Sequence, residues 1–166
     1  FYLKAFHQAS GMPGTVVRFF NTVGPRQTGR YGMVIPRFVS RALNGEPIQV
    51  YGDGTQSRCF CHVFDVIRAL KLLIGNEASY GETYNIGSQD SITIGDLARE
   101  VIRLTGSSSA IELVPYEKAY AKGFEDMKRR MPNTAKITAL TGWKPELSLE
   151  RIIADVSREI RERNRA

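Results

Sequence analysis

The spacing of apolar positions along this 166-residue chain switches repeatedly between a helical and a strand period. Residues 1–10 read as a helix with Leu3, Phe6 and His7 toward one side, stopped by Gly11. The β-branched and aromatic run Thr15 to Phe20 reads as a buried strand. Residues 21–32 hold three glycines, one proline and two arginines and read as a loop. Helical spacing returns over 33–43 through Val34, Phe38, Ala42 and Leu43, with Pro36 tolerable only in the first turn. A short strand over 48–51, a Gly52-Asp53-Gly54 turn and a strand over 58–63 follow. Residues 65–74 then form a helix with Val66, Ala69, Leu70 and Leu73 inward, and 83–86 form a strand.

Thr93, with Asp96 three residues on, opens the next helix as a variant of the capping box, and Gly106 closes it. Residues 111–114 are strand-like, and 115–132, rich in Lys, Arg and Tyr, are the least regular stretch. Asn133 is expected to cap a short helix ended by Gly142. Ser148 is expected to cap a last amphipathic helix that buries Leu149, Ile152, Ile153, Val156 and Ile160. Strands alternate with helices, so the class is α/β.

Composition narrows the functional classes. No apolar run approaches the roughly 20 residues that span a bilayer. The opening Phe1-Tyr2-Leu3-Lys4 reads as the interior of a helix, so the chain is expected to begin inside a larger protein. With 23 Lys and Arg against 17 Asp and Glu the net charge is +6, which raises the question of nucleic acid. Much of this charge reads instead as solvated helix surface, because Arg158/Glu162 and Glu159/Arg163 are opposite pairs four residues apart. Other arginines sit in loops rich in Gly and Pro, which suits a small anionic ligand, so neither a nucleic acid nor a membrane is expected as a partner. Cys59 and Cys61 share a strand face, where a disulfide would be strained, and they read as plain strand residues of a protein in a reducing cytoplasm. No metal is expected there, since His62 points to the opposite face and zinc needs more ligands.

A phosphate or diphosphate calls for planar arginine forks and small residues that let backbone approach. Three segments offer these: 21–30, just beyond the C-terminal end of a strand; the turn 52–58; and Arg129-Arg130 before Pro132. For Tyr51 a strand residue packed on the core is an equal alternative, and for Val34 burial is the stronger reading.

The segments Arg18-Phe19-Phe20-Asn21-Thr22-Val23-Gly24-Pro25-Arg26-Gln27 and Val50-Tyr51-Gly52-Asp53-Gly54-Thr55-Gln56-Ser57-Arg58, continued by His62-Val63-x-Asp65, resemble the extended short-chain dehydrogenase/reductase family. The likeness is strongest to its UDP-glucose 4-epimerase and UDP-glucuronate decarboxylase branches. Asn85-Ile86-Gly87, Arg129-Arg130 and Gly142-Trp143-x-Pro145 continue it in the same order, over essentially the whole chain. The resemblance implies the C-terminal part of a Rossmann-like fold with the smaller α/β substrate-binding domain. Residues 1–32 would be the tail of the Rossmann-type domain and 33–166 mainly the substrate domain, with about 57–75 returning to the first. It implies a UDP-sugar or related nucleotide sugar as ligand, a homo-oligomer, and NAD as cofactor of the intact family.

By the same resemblance Asn21 would hydrogen-bond the substrate diphosphate, and Arg58 and Arg130 would clamp it from two sides. Val34 would line the nucleotide site. Gln49 would flank the uracil largely through backbone, and Tyr51 through its ring. Phe20, Thr22 and Val23 would lie near the nicotinamide. Asn133 stands where relatives carry Asp, which puts a ribose contact in question. Asp65 would orient His62-Val63 and its helix start, Asp126 would partner the arginine pair, and His7 has no role.

The family's Gly-rich GxxGxxG turn and its YxxxK catalytic pair are both absent from this sequence. Tyr2 and Lys4 are only two residues apart and point to different faces of a helix. The 166 residues are therefore expected neither to retain NAD nor to turn over substrate alone. With sheet strands absent, association, swapping or marginal stability is expected.

Overall fold

A computed structural model describes residues 1–29, 32–116 and 127–165. The elements in chain order are α1 (Tyr2–Ser10), β1 (Val16–Phe19), β2 (Thr22–Val23), α2 (Val34–Leu43), β3 (Ile48–Tyr51), β4 (Ser57–Cys59), β5 (Cys61–His62) and α3 (Val63–Leu73). They continue as β6 (Thr83–Ile86), β7 (Ser91–Thr93), α4 (Ile94–Thr105), β8 (Ile111–Val114), β9 (Arg129–Arg130), α5 (Ala135–Thr141) and α6 (Leu149–Arg163). Three strand pairs are parallel: β1 with β6, β2 with β5, and β3 with β8. The fourth sheet centres on β4, with β7 antiparallel on one side and β9 parallel on the other. This is the α/β class that the alternating pattern implies.

Two apolar cores form. The first packs Phe38 and Val39 of α2, Val50 of β3, Leu97 of α4 and Ile152, Val156 and Ile160 of α6. The second packs Val66, Ala69 and Leu73 of α3, Tyr84 and Ile86 of β6, Ile137 of α5 and the fully buried Trp143. One passage between the two is abrupt, since Phe60 belongs to the first core and Cys61, the next residue, to the second. That step explains a departure from the sequence pattern. The apolar run over 58–63 is two strands, because β4 pairs with β7 and β9 whereas β5 pairs with β2.

Other departures have equally local causes. The stretch 21–32 is not all loop: the β-branched pair Thr22–Val23 aligns with Cys61–His62. Short strands β7 and β9 form because β4 offers two free edges. Helix α3 starts at Val63 rather than at Asp65, capped by His62, whose Nδ1 accepts from the Phe64 amide at 3.1 Å. Asp65 does more than orient that start: it accepts from the amides of Glu146 and Leu147, tying a distant turn to α3. On α1 the inward pair is Leu3 and His7, while Phe6 stays exposed. Thr134 occupies the N-cap of α5, and Asn133 supports it from one residue earlier by accepting from the Ala135 amide. Arg158 pairs with Asp155 at 3.1 Å rather than with Glu162, whereas Arg163 does reach Glu159. Thr93 and Ser148 cap their helices as the pattern implies.

The turn between β3 and β4 is seated on α4. Gly54 has φ +76°, and its carbonyl accepts from the Gly95 amide at 2.9 Å. A Cβ on Gly54 would lie 3.3 Å from the Gly95 Cα, so both the backbone conformation and the close approach require glycine.

Candidate functional site: a basic cleft at strand ends

A cavity of about 210 Å³ opens beyond the C-terminal ends of β1 and β3, where Asn21 and Tyr51 stand. A second, of about 330 Å³, adjoins it and shares Asn21, Gly32, Val34 and Phe60 in its walls. Open α/β sheets collect ligands at such strand ends, because neighbouring chain segments diverge there and leave a crevice. No carboxylate lines either cavity among the described residues, while Arg37 and Arg58 line the first and Arg130 the second. The cleft is thus cationic and suited to an anion.

Sheet register positions the arginines. In the parallel β4–β9 pair Arg58 aligns with Arg130 and Ser57 with Arg129. Aligned residues on neighbouring strands project from the same face of a sheet, so Arg58 and Arg130 stand side by side. The Arg58 Nη1 donates to the carbonyls of Ser57 and Met127, both at 2.8 Å, which fixes one edge of the fork. Arg130 lies over the Phe20 ring with its Cζ 5.5 Å from the centroid. Asn21 adopts a left-handed backbone at φ +39°, a conformation that Asn tolerates better than most residues. Its Nδ2 donates to the Cys59 carbonyl at 2.8 Å and the Cys61 amide donates back to its carbonyl. One amide hydrogen of Nδ2 is spent there, leaving a second donor on a residue that lines both cavities.

Val34 lines both cavities, and Thr22 and Val23 line the second. The Thr22 Oγ1 and the Gln27 Oε1 are buried without a hydrogen-bond partner. Tyr51 lines the first cavity and carries the Arg37 guanidinium over its ring, Cζ to centroid 4.4 Å. Gln49 sits two residues before Tyr51 on the same strand face but outside the cavity walls. Asn133 is also outside them: its Oδ1 caps toward Ala135, and its carbonyl accepts from the Asn85 side chain. Asp126 falls outside the described residues.

Six residues lining the first cavity are not singled out by the sequence: Gly32, Arg37, Gln56, Phe60, Ile94 and Tyr116. Arg37 follows Val34 by three residues on one helix, and Phe60 follows Arg58 by two, so helix and strand periods could have found both. Gln56 lies inside the motif around Arg58 and is held by a 2.8 Å bond from Nε2 to the Tyr51 carbonyl. Tyr116 comes from the irregular stretch and carries no such signal. Its ring fills the space over Gly52, where a Cβ would clash with Tyr116 Cε2.

The cysteines near the site are free and buried. Burial pushes the Cys61 thiol up to about 12, with the nearby Asp65 charge acting in the same direction. At neutral pH Cys61 is therefore an inert apolar group and not a nucleophile.

A parallel α/β fold with a cationic crevice at its strand ends is an architecture suited to anionic ligands. Residues 2–87 match the NAD dependent epimerase/dehydratase family, and the chain belongs to that family. It is 42% identical over 153 residues to the UDP-N-acetyl-alpha-D-glucosaminuronate decarboxylase of Bacillus cytotoxicus, covering 92% of this chain and 47% of that protein. It is 32% identical over 158 residues to UDP-glucuronic acid decarboxylase 2 of Arabidopsis thaliana, covering 95% of this chain and 34% of the relative. Among solved structures, the UDP-glucose 4-epimerase of Thermotoga maritima with UDP-glucose superimposes with a TM-score of 0.84 at 30% identity, over 98% of this chain and 50% of that one. The chain thus spans half or less of the length of these relatives.

Proposed function

We propose that this chain is the C-terminal, substrate-binding portion of an NAD-dependent UDP-sugar decarboxylase, epimerase or dehydratase, and that it holds the nucleotide diphosphate. The observation that carries the reading is the register pair Arg58 and Arg130, two guanidinium forks side by side at a cleft that Asn21 also lines. Two such forks can bracket the two phosphoryl groups of a diphosphate, and each charge-assisted hydrogen bond contributes about 1.5–3 kcal/mol. Tyr51 and Val34 offer the apolar surface for the base, and the two named decarboxylase relatives support a UDP-sugar as the substrate class. On this reading the second core, around α3 and β6, is the dinucleotide side, and the first core is the substrate side.

NAD, when bound, supplies the hydride acceptor for sugar oxidation. The residues here that fit it are few. Thr22 and Gln27 present buried, unpaired oxygens in the second cavity, and Phe20 and Val23 flank them in sequence. A Gly-rich dinucleotide turn and a YxxxK pair are not in this sequence, so the 166 residues alone bind the nucleotide without turnover. That absence also motivates the second reading, a binding module without catalytic function. We further place the protein, as a homo-oligomer, in a reducing cytoplasm, which its two free buried thiols suit.

Titration of UDP onto the chain tests the clamp: Arg58→Ala should weaken UDP at least tenfold, the loss of one charged hydrogen bond. Unchanged affinity would remove it. An NAD titration and a turnover assay on UDP-glucuronic acid test what the two readings share, since turnover by this chain would contradict both.

A further inference from the structure

Among the described residues, Arg37 is the cation of the cleft that the diphosphate reading leaves unused. It sits in the first turn of α2, three residues after Val34, and lines the smaller cavity together with Tyr51 and Gln56. Its guanidinium Cζ lies over two rings, 4.4 Å from the Tyr51 centroid and 5.8 Å from that of Phe38. Its Nε is buried without a hydrogen-bond partner. A buried guanidinium N–H left unpaired is costly, so this arginine does not serve fold stability alone. In the same cavity Gln56 is about nine-tenths buried, and its Oε1 is likewise without a partner, while its Nε2 is committed to the Tyr51 carbonyl. The amide cannot simply be turned round, because that would lose the 2.8 Å bond.

One wall of this cavity therefore carries an unsatisfied donor, an unsatisfied acceptor and an aromatic ring. We propose that Arg37 is a specificity-determining residue for the base of the nucleotide: it donates to a base carbonyl, with Gln56 as the matching acceptor and Tyr51 as the surface against which the base stacks. The inference rests on the nucleotide reading and goes beyond it by assigning base recognition to side chains that the diphosphate does not need. A ring carbonyl beside a ring N–H, as in a pyrimidine-2,4-dione, complements this donor and acceptor. The cavity of about 210 Å³ favours a single ring over a purine. A guanidinium has only donors and cannot lose its proton near neutrality, so it rejects an amino group in the place of the carbonyl.

The test compares UDP, CDP and inorganic pyrophosphate, titrated calorimetrically onto the unaltered chain, Arg37→Met and Arg37→Lys. Methionine keeps the apolar stem against Tyr51 and removes the donors. UDP should weaken roughly tenfold to a hundredfold in Arg37→Met, the loss expected of one charged hydrogen bond, and the preference for UDP over CDP should fall toward unity. Lysine should restore part of the UDP affinity. Pyrophosphate affinity should stay within about twofold, which also reports that the variant is folded. Three results would overturn the inference: unchanged UDP affinity in Arg37→Met, an undiminished UDP over CDP preference, or an equal loss for pyrophosphate. Failure of the unaltered chain to bind UDP or pyrophosphate would instead remove the nucleotide reading beneath it.

Discussion

Asp65 is the polar residue on which the second core depends most. It is 2% exposed, and its Oδ2 accepts from the amides of Glu146 (3.1 Å) and Leu147 (2.9 Å). Its Oδ1 accepts from Arg68 at 2.7 Å, and its carbonyl accepts from the Trp143 indole at 3.0 Å. Asp65→Ala leaves the indole bond intact and removes the rest. Arg68 is one-third exposed and keeps Glu146 as a partner, so its loss contributes little. The two backbone amides lose their acceptor at a partly buried turn, at about 1–3 kcal/mol each. The expected destabilisation is about 2–5 kcal/mol, a large share of the roughly 5–15 kcal/mol of a typical domain. Asp65→Asn keeps one acceptor oxygen and should fall nearer the lower figure. Trp143, the only tryptophan and fully buried against this network, makes urea unfolding followed by its fluorescence a direct reporter. A loss under about 1 kcal/mol with an unchanged slope against denaturant would refute the assignment of Asp65 as the tie between α3 and residues 146–147.

Three further outcomes are expected. Gly54→Ala forces a Cβ into a left-handed turn and against the Gly95 backbone, so it should lower the unfolding free energy measured in urea by about 1–3 kcal/mol, whereas Gly106→Ala, with open space around it, should cost about 1 kcal/mol. Burial opposes ionisation of Asp155, but the hydrogen bond and charge of Arg151, the charge of Arg158 and the bond to His62 outweigh it and hold the carboxyl below its ordinary 3.8. The stability this confers is present above that value and is lost as pH falls through the lower folded one, so the stability gap between the protein and Asp155→Asn should stay flat from about pH 5 to 8 and close below about pH 3.8; a gap still open at the acid end would contradict it. Cys61, buried and with its thiol at about 12, should resist an aromatic disulfide reagent at pH 8 until the chain is unfolded, and rapid labelling in native buffer would contradict its burial.

How much of this was legible in the sequence follows from where each feature gets its determinants. Helices α4 and α6 are readable because their caps, Thr93 and Ser148, and their apolar periods are local, and α2 is readable from its apolar period alone. Strands β7 and β9 were not, since three-residue and two-residue strands exist only because β4 presents an edge to each. The break at Phe60 was hidden for the same reason: nothing in Cys59-Phe60-Cys61 announces that two different sheets claim its flanks. In the cleft, Arg58 and Asn21 stand out through their motifs, whereas Arg37 belongs to none. Its place over Tyr51 is set by the packing of α2 on β3, a contact that no local pattern encodes. Asn133 shows the opposite case, a motif position whose side chain is spent on capping α5.

The central claim is that Arg58 and Arg130, neighbours in register on β4 and β9, act together on one diphosphate. A double-mutant cycle in UDP affinity tests it most directly, with uridine as the ligand lacking the diphosphate. Arg58→Ala and Arg130→Ala should each weaken UDP tenfold or more, combine non-additively because they share a ligand group, and leave uridine unaffected. UDP affinity unchanged in both single variants, or uridine falling in step with UDP, would contradict the account.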